Sequence, residues 1–104
     1  MIVDMRTYTI APGQVDRYLQ IYESAALPVQ REILGQLEGY FISQIGELNQ
    51  LIHMWSYPSF EERERRRSEL FANEVFKAEA QKLYPLIQEQ KNVILRPTSF
   101  SPIK

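Results

Sequence analysis

An α+β fold with the order β-α-β-β-α-β is predicted by three observations. Two short stretches, residues 2–10 and 49–57, alternate side chains with the period of a strand. Two others, 15–33 and 75–87, carry apolar residues at helical spacing. Gly and Pro punctuate the junctions between them. At 104 residues the chain reads as one domain with a modest core.

In residues 2–10, Val3, Met5, Thr7 and Thr9 share one face. Asp4, Arg6 and Tyr8 share the other, flanked by Ile2 and Ile10. Ala11-Pro12-Gly13 is a turn. Val15, Tyr18, Leu19, Tyr22, Ala26, Val29 and Ile33 then mark one face of a long helix. Pro28 predicts a kink or break near 27–28, and Gly35 a stop. Leu37–Ile45 reads as the second strand, with a bulge or close neighbour at Gly39. Gly46–Asn49 predicts a short turn to the third strand, and so an antiparallel hairpin.

The third strand holds the only histidine and the only tryptophan. Leu51, His53, Trp55 and Tyr57 face one way, Ile52, Met54 and Ser56 the other. Ser59 and Glu62 form a capping box for the next helix. Its segment 61–69 has no apolar residue, so a solvated face with Glu61–Arg65 and Glu62–Arg66 pairs is expected. Asn73 caps a further helix that Pro85 ends or bends. Residues 88–96 form the last strand, before a short irregular tail.

This order is the ferredoxin-like arrangement: a four-stranded antiparallel sheet with helices on one face. The aliphatic faces of the strands are expected under the helices. The other face, with Arg6, Tyr8, His53, Trp55 and Tyr57, is too aromatic to remain in water. A second copy of the chain is its simplest cover, giving a homodimeric α+β barrel.

Composition excludes several functions. Net charge is −1, so nothing pulls the chain toward nucleic acid or an anionic membrane. Acidic residues interleave the Arg63–Arg67 run, so no basic stripe forms. No apolar run is long enough to span a bilayer. No cysteine is present, which removes disulfides, thiolate metal sites and thiol catalysis. Neither a Gly-x-Ser-x-Gly elbow nor a phosphate-binding glycine loop occurs. No cofactor or metal is predicted, because one histidine without carboxylates at ligand spacing falls short of a catalytic metal site. The start of the chain lacks the order of a signal peptide, and a cytoplasmic protein is expected.

Candidate site residues come from the polar-aromatic face. His53 is suited to general base or ligand contact, against a purely structural hydrogen bond. Arg6 could clamp a carboxylate or phosphate, or pair internally with Asp4. Tyr18 and Tyr22, four apart, either pack on the sheet or line a pocket. Arg6, Tyr8, His53, Trp55 and Tyr57 are therefore the expected ligand-binding set, with His53 the catalytic candidate.

Several segments together resemble the NIPSNAP family. They are Arg6-Thr7-Tyr8, Pro12-Gly13, Leu27–Arg31 with Gly35, Gly39-Tyr40-Phe41, Ile45–Gln50, His53–Tyr57 and Glu62–Arg66. They occur in order from about residue 2 to Pro97, and His-x-Trp-x-Tyr before the Glu/Arg-rich helix is the most specific. The resemblance implies a dimeric α+β barrel. It also implies kinship with small antibiotic-biosynthesis monooxygenases and haem-handling proteins, and no assigned catalytic activity. Some members carry organelle-targeting extensions; this chain starts at its first strand, so a bacterial-type cytoplasmic protein is expected. Three functions follow: a barrel that binds a small anionic or aromatic molecule, a cofactor-independent monooxygenase or isomerase with His53 as base, or a non-catalytic module docking a partner protein through helix 61–72.

Overall fold

A computed structural model of the chain describes residues 1–104. The strands are β1 (Ile2–Ile10), β2 (Gln36–Ile42), β3 (Gln50–Tyr57) and β4 (Ile87–Leu95). They form one antiparallel sheet in the order β2-β3-β1-β4. This is the expected α+β, ferredoxin-like topology.

The first helix is continuous but not uniform. It runs as α1 (Val15–Ile21), a π-helical turn (Tyr22–Ala26) and α2 (Leu27–Ile33). Pro28 has no N–H to give the fourth carbonyl back, and its ring would collide with it. The wider π turn lets the Leu27 N–H reach Tyr22 O instead, so the helix passes the proline without breaking. Gly35, at φ +94°, ends it. Arg66 Nη1 also donates to the Leu34 carbonyl at 3.0 Å, capping that end with a cation.

Helices α3 (Phe60–Ala72) and α4 (Glu74–Leu83) start on side-chain caps. Ser59 Oγ accepts from Glu62 N at 3.1 Å, and Asn73 Oδ1 from Phe76 N at 3.0 Å. The Glu62 carboxylate does not complete the capping box; it turns to Arg65 and Arg66, at 2.9 and 3.5 Å. Arg65 therefore pairs with Glu62 rather than with Glu61. A 3-10 turn (Tyr84–Leu86) at Pro85 leads into β4. Residues 43–49 link β2 to β3, a longer connection than the expected turn; Ser43 N bonds Gln50 O across it at 2.9 Å. The register of β2 shifts between Leu37 and Gly39, as a bulge at this glycine requires.

The two sheet faces are assigned the opposite way to the expectation. Arg6 pairs with His53, Asp4 with Trp55 and Ile2 with Tyr57, so these residues share a face. That face lies under the helices. Ile10, Leu51, Trp55 and Tyr57 join Tyr18, Tyr22, Leu70, Phe76 and Leu83 in one core. The reason is area: each aromatic ring removes far more surface from water than Val, Met or Thr. The aliphatic face, where Met5 pairs with Met54 and Val93, carries no helix. Phe41 and Val93 on it are about half exposed, at 53% and 50%.

Candidate functional site

The alternation of β1 and β3 sends Asp4, Arg6 and Tyr8 beneath the helices beside His53 and Trp55. Asp4 is fully buried. A buried carboxylate needs partners, and this one has three. It accepts from Arg63 Nε of α3 at 2.9 Å, Arg6 Nη1 at 3.2 Å and Asn92 Nδ2 of β4 at 3.3 Å. Arg6 Nε also donates to the Tyr8 hydroxyl at 3.0 Å. The internal pairing of Arg6 with Asp4 is thus present, and Arg63 belongs to the same buried network.

Next to this network lies a cavity of about 220 Å³. The sheet supplies Arg6, Tyr8, Tyr40 and His53 to it, with Ile87 and Gln90 of β4. The first helix adds Tyr18, Tyr22 and Gln30, and α3 adds Arg67, Leu70 and Phe71. Phe76, Ala80 and Leu83 of α4, with Tyr84, complete the lining. Of the five sequence-derived ligand-binding candidates, Arg6, Tyr8 and His53 line the cavity. Trp55 and Tyr57 sit on the same sheet face but are buried in the core, away from it.

His53 is only 4% exposed. Its ring stacks on Tyr40, 4.6 Å between centroids and 9° between planes. Tyr8 meets it edge-on at 4.8 Å and 86°. Neither Nδ1 nor Nε2 has a hydrogen-bond partner in the protein. Burial, reinforced by the charges of Arg6 and Arg67 and opposed by Asp4, pushes the His53 pKa down to about 3. The imidazole is therefore neutral at pH 7, with one N–H donor and one nitrogen lone pair.

The Tyr40 hydroxyl is also buried without a partner; it lies near that of Tyr18 but does not reach hydrogen-bonding geometry. Tyr22 O–H donates to Gln30 Oε1. Burial raises the pKa of Tyr18, Tyr22 and Tyr40, so all three remain phenols.

Arg63 and Arg67 are the residues that the sequence reading placed wrongly. The Arg63–Arg67 run is not one solvated face: Arg63 is buried and Arg67 lines the cavity. Three carboxylates of this helix are engaged elsewhere, Glu64 with Arg63, and Glu62 and Glu69 with Arg65, and the fourth, Glu61, makes no ion pair with Arg67. Arg67 instead stacks over the Phe71 ring at 5.1 Å. Burial and the nearby charges of Arg6 and Arg63 lower its pKa. The signal was in the spacing, because Phe60, Arg63, Arg67 and Leu70 recur on one helix face.

A wider groove of about 560 Å³ lies outside, between the first helix and β2. Leu19, Leu27 and Leu37 line it, with Asp16 and Arg31. Tyr22 and Tyr40 border both spaces.

Comparison with known proteins agrees with this fold. The NIPSNAP family model matches residues 3–102. The chain is 29% identical over 103 residues to protein NipSnap homolog 2 of Danio rerio, covering 99% of this chain and 35% of the relative. It is 32% identical over 73 residues to a Dictyostelium discoideum homolog, covering 70% of this chain and 32% of that protein. It thus spans about a third of the length of these curated relatives. A solved NIPSNAP family protein of Agrobacterium tumefaciens is 41% identical, with a TM-score of 0.97 over 99% of this chain and 98% of that one. An antibiotic biosynthesis monooxygenase structure is 14% identical, with a TM-score of 0.65 over 94% of this chain and 99% of its own; it shares the fold alone. The chain belongs to the NIPSNAP family.

Proposed function

We propose that this protein is a homodimeric barrel that binds one small anionic or aromatic molecule per subunit in the cavity beside His53. One observation carries the reading: three buried polar atoms, both His53 ring nitrogens and the Tyr40 hydroxyl, have no partner in the protein. Leaving each unmet costs about 1–3 kcal/mol, and a bound molecule that supplies the missing bonds removes that cost. Arg67, without a carboxylate of its own, makes the same space attractive to an anion.

Dimerisation belongs to the reading because of the outer sheet face. Met5, Ile52 and Met54, with the exposed Phe41 and Val93, form an apolar surface with no helix over it. A two-fold copy of the same surface covers both at once. No helix of the chain is long and apolar enough to cross a membrane.

His53 as the base of a cofactor-independent reaction is the less supported alternative. A base works best with a pKa near the operating pH. An imidazole held near 3 is too weak for that task until something in the cavity offsets its burial. Docking of a partner through the outer side of α3 is also less supported, since Arg65 there already pairs with Glu62 and Glu69.

Native mass spectrometry of protein purified from its own host tests the reading. The expected result is a dimer with a reproducible retained mass that Arg67→Met or His53→Phe reduces. A dimer that never carries extra mass, and whose melting temperature no small anion or aromatic compound raises, would overturn the ligand claim. A monomer would overturn the dimer.

A further inference from the structure

Resting on the cavity reading above, we infer that the ligand is a planar aromatic monoanion with a second polar group, a hydroxylated aromatic carboxylate in class. Arg67 would hold its carboxylate, and His53 with Tyr40 its hydroxyl.

The charge comes first. Arg6 and Arg63 share one buried carboxylate, Asp4. Burial lowers the Arg67 pKa, and Arg6 and Arg63 lie close enough for their charges to lower it further, but Arg67 makes no ion pair. Glu64 adds a second partner for Arg63 only. Arg67 is left as one uncompensated cation on the cavity wall, so a single negative charge completes the site. Its planar fork fits a carboxylate in two-point contact.

Size and shape come next. An apolar cavity of about 150 Å³ holds benzene. The 220 Å³ here accommodates one ring with one or two substituents. The walls are rings as well. Tyr40 lies over His53, Tyr8 stands edge-on to it, and Tyr22 meets Tyr40 at 5.1 Å between centroids. Faces and edges of this kind favour a flat aromatic guest over a puckered one.

The polar end is set by His53. A neutral imidazole presents one donor and one acceptor, and the Tyr40 phenol adds a rotatable hydroxyl. A carboxylate on Arg67 leaves all of these unmet. A ligand hydroxyl both donates and accepts, which matches them. A ligand without one leaves buried polar atoms unpaired, and sites of this kind reject such analogues strongly.

Calorimetric titration of the full-length protein with 3- and 4-hydroxybenzoate, benzoate, cyclohexanecarboxylate and phenol tests the inference. The better hydroxybenzoate is expected to bind at least tenfold more tightly than phenol or cyclohexanecarboxylate, and more tightly than benzoate. Arg67→Met should cost it at least tenfold and leave phenol unaffected. Arg67→Lys, which keeps the charge and loses the fork, should fall between. Arg65→Met, a similar change on the outer side of α3, should leave binding unchanged. His53→Phe should erase the preference for hydroxybenzoate over benzoate. Phenol or cyclohexanecarboxylate binding as tightly as hydroxybenzoate, or equal losses in Arg67→Met and Arg65→Met, would overturn the inference while leaving a cavity ligand in place. Silence from every probe would also overturn it. The broader reading falls with it only if protein from its own host carries no retained mass.

Discussion

His53 sets the pH behaviour of the site. The native ring resists protonation down to about pH 3, whereas in the unfolded chain it titrates near 6.5. Below about pH 6.5 the unfolded state therefore binds a proton that the native state refuses. Stability contributed by this residue is present above that pH and falls by up to about 1.4 kcal/mol per pH unit on the way toward pH 3. The imidazole signals of the folded protein should show no titration between pH 8 and 5 in an NMR series; a midpoint near 6.5 would place the ring in solvent. Asp4 is the second decisive residue. Asp4→Asn keeps the shape but leaves Arg63 and Arg6 facing a neutral group, and should cost about 3–5 kcal/mol in urea unfolding. A loss below 1 kcal/mol, on the same scale as an exposed ion pair, would refute the buried network. Arg6, Tyr8 and His53 could be grouped from sequence because a strand fixes alternation. Arg67 was harder to place: its spacing with Phe60, Arg63 and Leu70 carried the signal, but charge dominates the helix and masks that face.

At the scale of elements, most of the chain was legible for local reasons. Ser59 and Asn73 cap their helices through the bonds their residue types favour. Asn73→Ala should lower stability by about 1 kcal/mol in denaturant unfolding. No change would mean that the α3–α4 junction does not depend on the cap. The register shift at Gly39 was readable from a glycine inside a strand pattern. The π turn was not. Pro28 signals only that a normal helical bond is missing, and a kink, a break or a π turn each satisfies that constraint. The choice matters, because Tyr22 opens that turn and borders both the cavity and the outer groove.

At the scale of the molecule, the four-stranded antiparallel arrangement was legible and the orientation of the sheet was not. Alternation separates two faces but does not say which one meets the helices. Polar groups on the aromatic face suggested a cavity wall turned away from the helices and covered by a second copy of the chain. Arg63 from a distant helix neutralises Asp4 and lets that face turn inward. The consequence is a division of labour: the inner face holds the cavity, and the outer face is free for a second subunit. Met54→Glu, on the outer row with Met5 and Val93, should weaken the proposed dimer in light scattering while leaving the fold intact by circular dichroism. An unchanged dimer would move the interface elsewhere.

The most direct measurement is a crystal structure of protein purified from its own host. The expected result is non-water density in the cavity, within hydrogen-bond distance of a His53 ring nitrogen and of Arg67, with a second subunit on the Met5–Met54 face. Ordered water alone on His53, or a cavity closed by its own side chains, would contradict the account.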